Sequence, residues 1–192
     1  MENKKRRIKK LILNRTEVIQ YFPPGMKIAE IGVLRGRYSK KIMESKPSEL
    51  YLIDCWQHVE GTDIYAKYDG CNVEQAEQEK KYQHVKSKLG SLPGVELIRE
   101  FSGPASKHFT DGSLDAVYID GDHSYEGAKK DWEHALKFSH KETLIVIDNI
   151  WDIRLKEVRR FYDDMTTNKW DFEEWNDANR TMVKDTGVLL TY

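Results

Sequence analysis

The chain predicts an α/β domain on a doubly wound, largely parallel sheet with helices on both faces. Three observations carry this. Strand-like and helix-like segments alternate five times, four of the five strands run into an acidic residue or a glycine turn, and two β-prone segments with no long helix between them close the sequence. At 192 residues the chain is sized for one domain, residues 1–192, and no repeat, low-complexity tract or linker divides it.

Residues 1–24 read as a leading amphipathic helix. Ile8, Leu11, Ile12, Val18 and Ile19 lie on one side, the basic run Lys4 to Lys10 on the other, and Phe22-Pro23-Pro24-Gly25 stops it. Lys27 to Gly32 is a short buried strand entering a glycine turn, Arg37 to Lys46 has helical spacing at Tyr38, Ile42 and Met43, and Glu49 to Asp54 is a second apolar strand. Residues 57–90 are a polar, mostly helix-forming insertion carrying Tyr65, Tyr68 and Tyr82. Pro93-Gly94 then turns into a third strand, Val95 to Ile98. A short helix around Pro104 to Phe109 and a turn at Asp111-Gly112 lead to the fourth strand, Ala116 to Asp120. Tyr125 to Phe138 is helical, Leu144 to Asp148 is the purest buried-strand signal, and Ile153 to Met165 is again helical. Trp170 to Trp175 and Gly187 to Tyr192 are expected to form a terminal antiparallel pair.

Composition narrows the class. A hydrophobic fraction of 39% and a charged fraction of 33% are near globular values, and the longest apolar runs are strand-sized, so neither disorder nor a membrane span is expected. Met1 to Lys10 is too charged and Leu11 to Leu13 too short for a secretory signal. Cys55 and Cys71 form no CxxC pair, so a cytoplasmic protein with free thiols is expected. A net charge of −1 supplies no global field for nucleic acid, which leaves a small molecule as the expected partner. Self-association into a homo-oligomer stays open.

In open α/β sheets ligands bind outside the carboxyl ends of the strands, so those ends hold the candidate residues. Glu30-Ile31-Gly32-Val33-Leu34-Arg35-Gly36 is an ExGxxxG turn, where missing side chains let a ligand approach backbone amides at a helix start. Asp54 ends the second strand about 20 residues later, the position at which Rossmann-like proteins hold ribose hydroxyls. Together they imply an adenosine ligand. The spacing lacks the GxGxxG turn that suits a pyrophosphate, and Glu30 would repel one, whereas it would attract the ammonium or sulfonium of S-adenosylmethionine. A second cluster, Asp120-Gly121-Asp122-His123 and Asp148-Asn149, ends the fourth and fifth strands. With neighbouring strands about 4.8 Å apart, Asp120 and Asp148 can converge on one cation, with Asn149 adding a carbonyl oxygen. Such hard oxygen ligands suit Mg²⁺. Asp122 could equally cap the following helix and Asp148 merely close a strand.

At these residues the chain resembles the class I S-adenosylmethionine-dependent methyltransferases. The resemblance rests on Ala29-Glu30-Ile31-Gly32-Val33, Gly36 and Ser39, on Leu52-Ile53-Asp54-Cys55-Trp56, and most specifically on Tyr118 to Glu126. It covers Lys27 to Tyr192 and implies strand order 3-2-1-4-5-7-6 with the last strand antiparallel. The same positions are similar to metal-dependent O-methyltransferases of the catechol and macrolide-sugar kinds. That likeness implies Glu30, Gly32, Gly36 and Ser39 along the methionine part of the cofactor, Asp54 on the ribose, and Trp56 with Ser102 on the adenine. Asp120 borders the cofactor and, with Asp148 and Asn149, would hold Mg²⁺.

Two departures stand out. Ser139 to Thr143 lacks the glycine pair usual before the fifth strand, and Ile147 stands where many relatives carry histidine. The expected reaction is methylation of an oxygen on a sugar or phenol, with metal assistance and His123 or Asp122 taking the proton. His58, His84, His108, His134 and His140 read as surface residues. Residues 57–90 and the loop Glu174 to Arg180 are expected near the acceptor pocket. The rival readings are a catalytically silent cofactor-binding module and an NAD-dependent oxidoreductase on the same sheet.

Overall fold

The computed structural model describes residues 15–60, 71–150, 152, 154–164, 170–171 and 188–191. Strands β1 (Lys27–Ile31), β2 (Glu49–Ile53), β3 (Val95–Ile98), β4 (Leu114–Ile119), β5 (Ser139–Ile147), β6 (Trp170–Asp171) and β7 (Val188–Thr191) form a sheet ordered β3-β2-β1-β4-β5-β7-β6. Pairing from β3 through β5 is parallel, and β7 lies antiparallel between β5 and β6. The helices are α1 (Arg37–Glu44), α2 (Gln75–Leu89), α3 (Ser102–Ala105), α4 (Tyr125–Phe138) and α5 (Lys156–Asp164).

The central strands are covered on both faces, so their near-continuous apolar runs divide between two cores by the two-residue period. Ala29, Ile53, Val117, Ile119 and Ile145 pack with Ala128, Trp132 and Phe138 of α4 and with Val158 and Phe161 of α5. Ile28, Leu52, Tyr118 and Val146 pack on the other face with Ile42 of α1, with Val85 and Leu89 of α2, and with Val18, Ile19 and Phe22. Among the described residues no helix is long and apolar enough to cross a membrane.

The elements differ from expectation in four places. The described part of the leading segment, Arg15–Tyr21, is a 3-10 helix, and the Phe22 N–H closes its end on the Ile19 carbonyl at 2.9 Å. Pro23 and Pro24 follow at once, and a proline disfavours helical backbone at the residue before it. The remainder of the predicted helix, with Ile8, Leu11 and Ile12, lies outside the described residues. In the 57–90 insertion the helix starts only at Gln75, while Tyr65 and Tyr68, like the loop Glu174 to Arg180, lie outside the described residues. The fifth strand begins at Ser139 rather than Leu144. There the missing glycine pair is replaced by Thr143, whose fully buried hydroxyl accepts the His140 N–H at 2.8 Å and donates to the Leu114 carbonyl at 2.6 Å. The register between β4 and β5 shifts at that point. The last helix is Lys156–Asp164, shorter than Ile153 to Met165.

Candidate active site

Register builds the site. Ile31, Ile53, Ile119 and Ile147 are the last residues of four adjacent strands and lie level, Ile31 pairing with Ile53 and with Ile119, and Ile119 with Ile147. The next residues are Gly32, Asp54, Asp120 and Asp148, which leave the sheet along one rim. The ladder continues one rung through them: the N–H groups of Gly32, Asp120 and Asp148 donate to Ile53, Ile31 and Ile119 at 2.9, 2.7 and 2.9 Å. A cavity of about 1100 Å³ opens at this rim, lined among others by Glu30, Gly32, Asp54, Ser102, Asp120, Asp122 and His123. Its place at the carboxyl ends of parallel strands is where such sheets bind ligands.

On the β1–β2 side the turn is set by glycine and by main-chain hydrogen bonds. Gly32 has φ +89°, and a Cβ there would lie 1.9 Å from the Asp120 carbonyl oxygen, so only glycine fits. Gly36, also left-handed at φ +69°, is the N-cap of α1 and is buried under Leu89 rather than in the cavity wall. Glu30 is 1% exposed and accepts a short hydrogen bond from the buried Ser39 hydroxyl, which holds its carboxylate from the α1 side. Asp54 accepts the Val33 and Leu34 N–H groups at 3.0 and 2.8 Å on one oxygen and the Trp56 N–H at 2.8 Å on the other. Burial pushes its pKa up, against the lowering effect of those amides. A carboxylate has about four lone-pair sites, so three amides leave capacity for about one further donor.

Trp56 does not stand where an adenine contact needs it. It is 1% exposed, outside the cavity lining, tilted against Tyr82 with ring centroids 5.2 Å apart, and its indole N–H donates to the Leu34 carbonyl at 2.9 Å. With φ +41° it holds the underside of the glycine turn, and the adenine role expected of it is corrected to a packing one. Ser102 does line the cavity, beside the exposed ring of Phe101.

On the β4–β5 side, side chains hold one another. Asp120 Oδ1 accepts from the Asn149 amide at 2.8 Å and lies 3.2 Å from His123 Nε2, with Asn149 and His123 themselves 3.1 Å apart. Asn149 reaches this position from a left-handed backbone, φ +62°. Asp148 is 2% exposed and turns inward: one oxygen accepts the Asn149 N–H at 2.8 Å, the other the Tyr118 hydroxyl at 2.5 Å. Asp122 accepts the Ser124 N–H at 2.8 Å and packs on Gly127 at the start of α4, the capping role open to it from sequence.

The expected Mg²⁺ trio was tested on these contacts. Asp120, Asp148 and Asn149 are neighbours, but they do not converge as ligands: Asp148 spends both oxygens below the rim, and Asn149 presents its amide N–H to Asp120. Neither Asp148 nor Asn149 lines the cavity. Among the described residues no group of three or more His, Cys, Asp or Glu side chains is placed to hold a metal ion. The donor set as arranged does not fit a shared cation, which corrects the metal expectation.

Other functional candidates come from pairings across the fold. Asp131 of α4 accepts the Ser102 hydroxyl at 2.5 Å and the Asp122 N–H at 3.3 Å, and His134 Nδ1 lies 3.0 Å from the same hydroxyl. Both line the cavity, so His134 is not the surface residue it was expected to be. Burial raises the Asp131 carboxyl to about 6 and lowers the His134 imidazole. Their one sequence signal is the i, i+3 spacing that puts both on one helix face. Arg35, Arg37, Tyr38 and Lys41 also line the cavity from the turn and first helix.

Fold and rim together define the class I S-adenosylmethionine-dependent methyltransferase architecture. A family model described as methyltransferase domain matches residues 29–150, well over half of the chain, and the chain belongs to that family. No curated protein matches the sequence. Among solved structures the chain is similar to TomG, an O-methyltransferase of Streptomyces achromogenes involved in tomaymycin synthesis and solved with S-adenosylmethionine. Identity is 15%, coverage 92% of this chain and 77% of that one, and the TM-score 0.60. It is similar to an O-methyltransferase from Bacillus cereus solved with S-adenosylhomocysteine, at 16% identity, 92% and 78% coverage and TM-score 0.56. An rRNA methylase from Streptococcus thermophilus is equally alike in fold, at 12% identity, 96% and 98% coverage and TM-score 0.60. The shared fold therefore does not select an acceptor.

Proposed function

We propose that this chain binds S-adenosylmethionine at the β1–β2 rim and transfers its methyl group to a hydroxyl oxygen of a small acceptor, a sugar or a phenol. The observation that carries this is the pairing of a phosphate-free glycine turn with two acids facing the same cavity, Glu30 and an amide-held Asp54. Glu30 would attract the cofactor's ammonium, Asp54 would accept a ribose hydroxyl, and the base would extend toward Phe101 and Ser102 at the end of β3. In the reaction an acceptor oxygen lone pair forms the O–CH3 bond as the C–S bond breaks, S-adenosylhomocysteine leaves, and the hydroxyl proton passes to a base. His123 suits that role better than Asp122, since it lines the cavity with its Nε2 against Asp120, an arrangement that stabilises the imidazolium formed. Positioning the oxygen in line with the sulfonium carbon supplies much of the acceleration.

Metal assistance is not part of this reading, because Asp148 is committed to Tyr118 and to the Asn149 amide. The test is transfer of a labelled methyl group from S-adenosylmethionine to a panel of sugars and phenols, with and without EDTA. Labelled O-methyl product at an unchanged rate in EDTA is expected. Loss of turnover in EDTA, restored by Mg²⁺, would return the cation to the mechanism, and label on nitrogen or carbon alone would overturn O-methylation.

A further inference from the structure

The cavity's charges are segregated, and this bears on the acceptor. Its carboxylates sit at the strand ends and on α4, and the structure holds them internally: Glu30 by Ser39, Asp54 by three amides, Asp120 by Asn149, Asp131 by Ser102. Its cations line the opposite wall. Arg35, Arg37 and Lys41 come from the turn and the first helix within seven residues, and Arg37 and Lys41, four apart, share one helix face. Lys41 pairs with the exposed Glu44 at 2.9 Å. Neither Arg35 nor Arg37 has a carboxylate within ion-pair distance among the described residues, although Arg35 acts on Glu77 at longer range. The first turn of α1 carries no acidic residue, and its N-cap, Gly36, has no side chain to cap it. At a net charge of −1 the chain has no global positive field of which this wall would be a part.

The wall also borders the place where an acceptor would sit. Tyr38, between Arg37 and Lys41 in the sequence, lines the cavity and stacks on Tyr118 with centroids 3.9 Å apart. The Tyr118 hydroxyl bonds Asp148, and Asn149 next to it touches both Asp120 and His123. The cationic wall is thus one aromatic pair away from the candidate base.

From this juxtaposition we propose that Arg35, Arg37 and Lys41 form an anion-reading wall, and that the acceptor carries a carboxylate or phosphate group besides the hydroxyl that is methylated. The inference rests on the methyltransferase reading above. Charge counting assigns the anion to the acceptor. S-adenosylmethionine brings a single carboxylate together with an ammonium and a sulfonium, so it is itself a net cation and does not balance three further positive side chains. Two arginine forks beside an ammonium match the geometry of an oxyanion.

The test uses the full chain and the variant R35Q/R37Q/K41Q, with circular dichroism confirming an unchanged fold. Inorganic phosphate and S-adenosylhomocysteine are each titrated by calorimetry, phosphate both with and without the nucleoside present. Phosphate should bind the cofactor-saturated native chain and bind the variant about tenfold or more weakly, an effect that shrinks as salt is raised. S-adenosylhomocysteine affinity should stay within about threefold, because the wall is assigned to the acceptor. Equal phosphate binding by both proteins would overturn the proposal. So would a tenfold loss of S-adenosylhomocysteine affinity in the variant, which would give the cations to the cofactor's carboxylate. If the native chain does not bind S-adenosylhomocysteine, the methyltransferase reading fails, and the phosphate titration without it still decides the wall.

Discussion

The two halves of the rim are held together by different means. At β1–β2 the key carboxylate, Asp54, is fixed by main-chain N–H groups within 21 residues of it, and the glycine turn it grips can adopt no other shape with a side chain at position 32. At β4–β5, Asp120, His123, Asn149, Asp148 and Tyr118 fix one another through side chains, across sequence separations of up to 30 residues. The first half is a rigid cradle suited to binding, since main-chain donors need no rearrangement. The second is a relay whose members can exchange partners, which suits chemistry on a proton.

That contrast can be broken most severely at Gly32. Gly32→Ala would drive a Cβ into the Asp120 carbonyl at 1.9 Å, separating β1 from β4 at the rim. A loss on the order of 4 kcal/mol or more is expected, read as a large drop in Tm together with loss of S-adenosylhomocysteine binding. A stable variant that still binds would show that the cradle is not rigid. His123→Ala should separate the halves functionally: turnover falls about 100-fold or more while S-adenosylhomocysteine affinity holds within about threefold. Equal losses in both would mean that the two ends of the rim act as one.

The same contrast explains what the sequence made legible. Glu30, Gly32 and Asp54 could be found because their chemistry is local: a strand, a turn and a following strand specify it by spacing alone. The sheet order followed from a family resemblance, and each strand's identity from apolar runs. What stayed hidden depends on long-range partners. Asp131 and His134 become cavity residues only when α4 meets Ser102, and nothing near them in the chain signals that contact. Asp148 was read as a ligand because strand spacing permits it, and Tyr118, from the neighbouring strand, turns it inward. Trp56 follows Asp54 closely enough to suggest a ligand contact, yet its left-handed backbone and the Leu34 carbonyl draw it beneath the turn.

The smallest effect sharpens the boundary between the halves. Asp131 ties Ser102 to the Asp122 N–H, and its folded pKa is about 6 against an ordinary value of 3.8. Between those values the native chain keeps a proton that the unfolded chain has released. Stability from this group is therefore greatest near pH 4, falls as pH rises toward 6 and is level above it. In thermal melts at pH 4 to 6.5, Asp131→Asn should remove this slope, amounting to a few degrees in Tm. An identical slope in the variant would place the titration elsewhere.

The account turns on an adenosyl ligand held by Asp54 without pyrophosphate, and isothermal titration of S-adenosylhomocysteine and NADH into the native chain and Asp54→Ala tests it most directly. One S-adenosylhomocysteine per chain, weakened about 100-fold by the substitution, and no NADH binding, is the predicted result. Binding of NADH in place of S-adenosylhomocysteine, or S-adenosylhomocysteine affinity indifferent to Asp54, would contradict it.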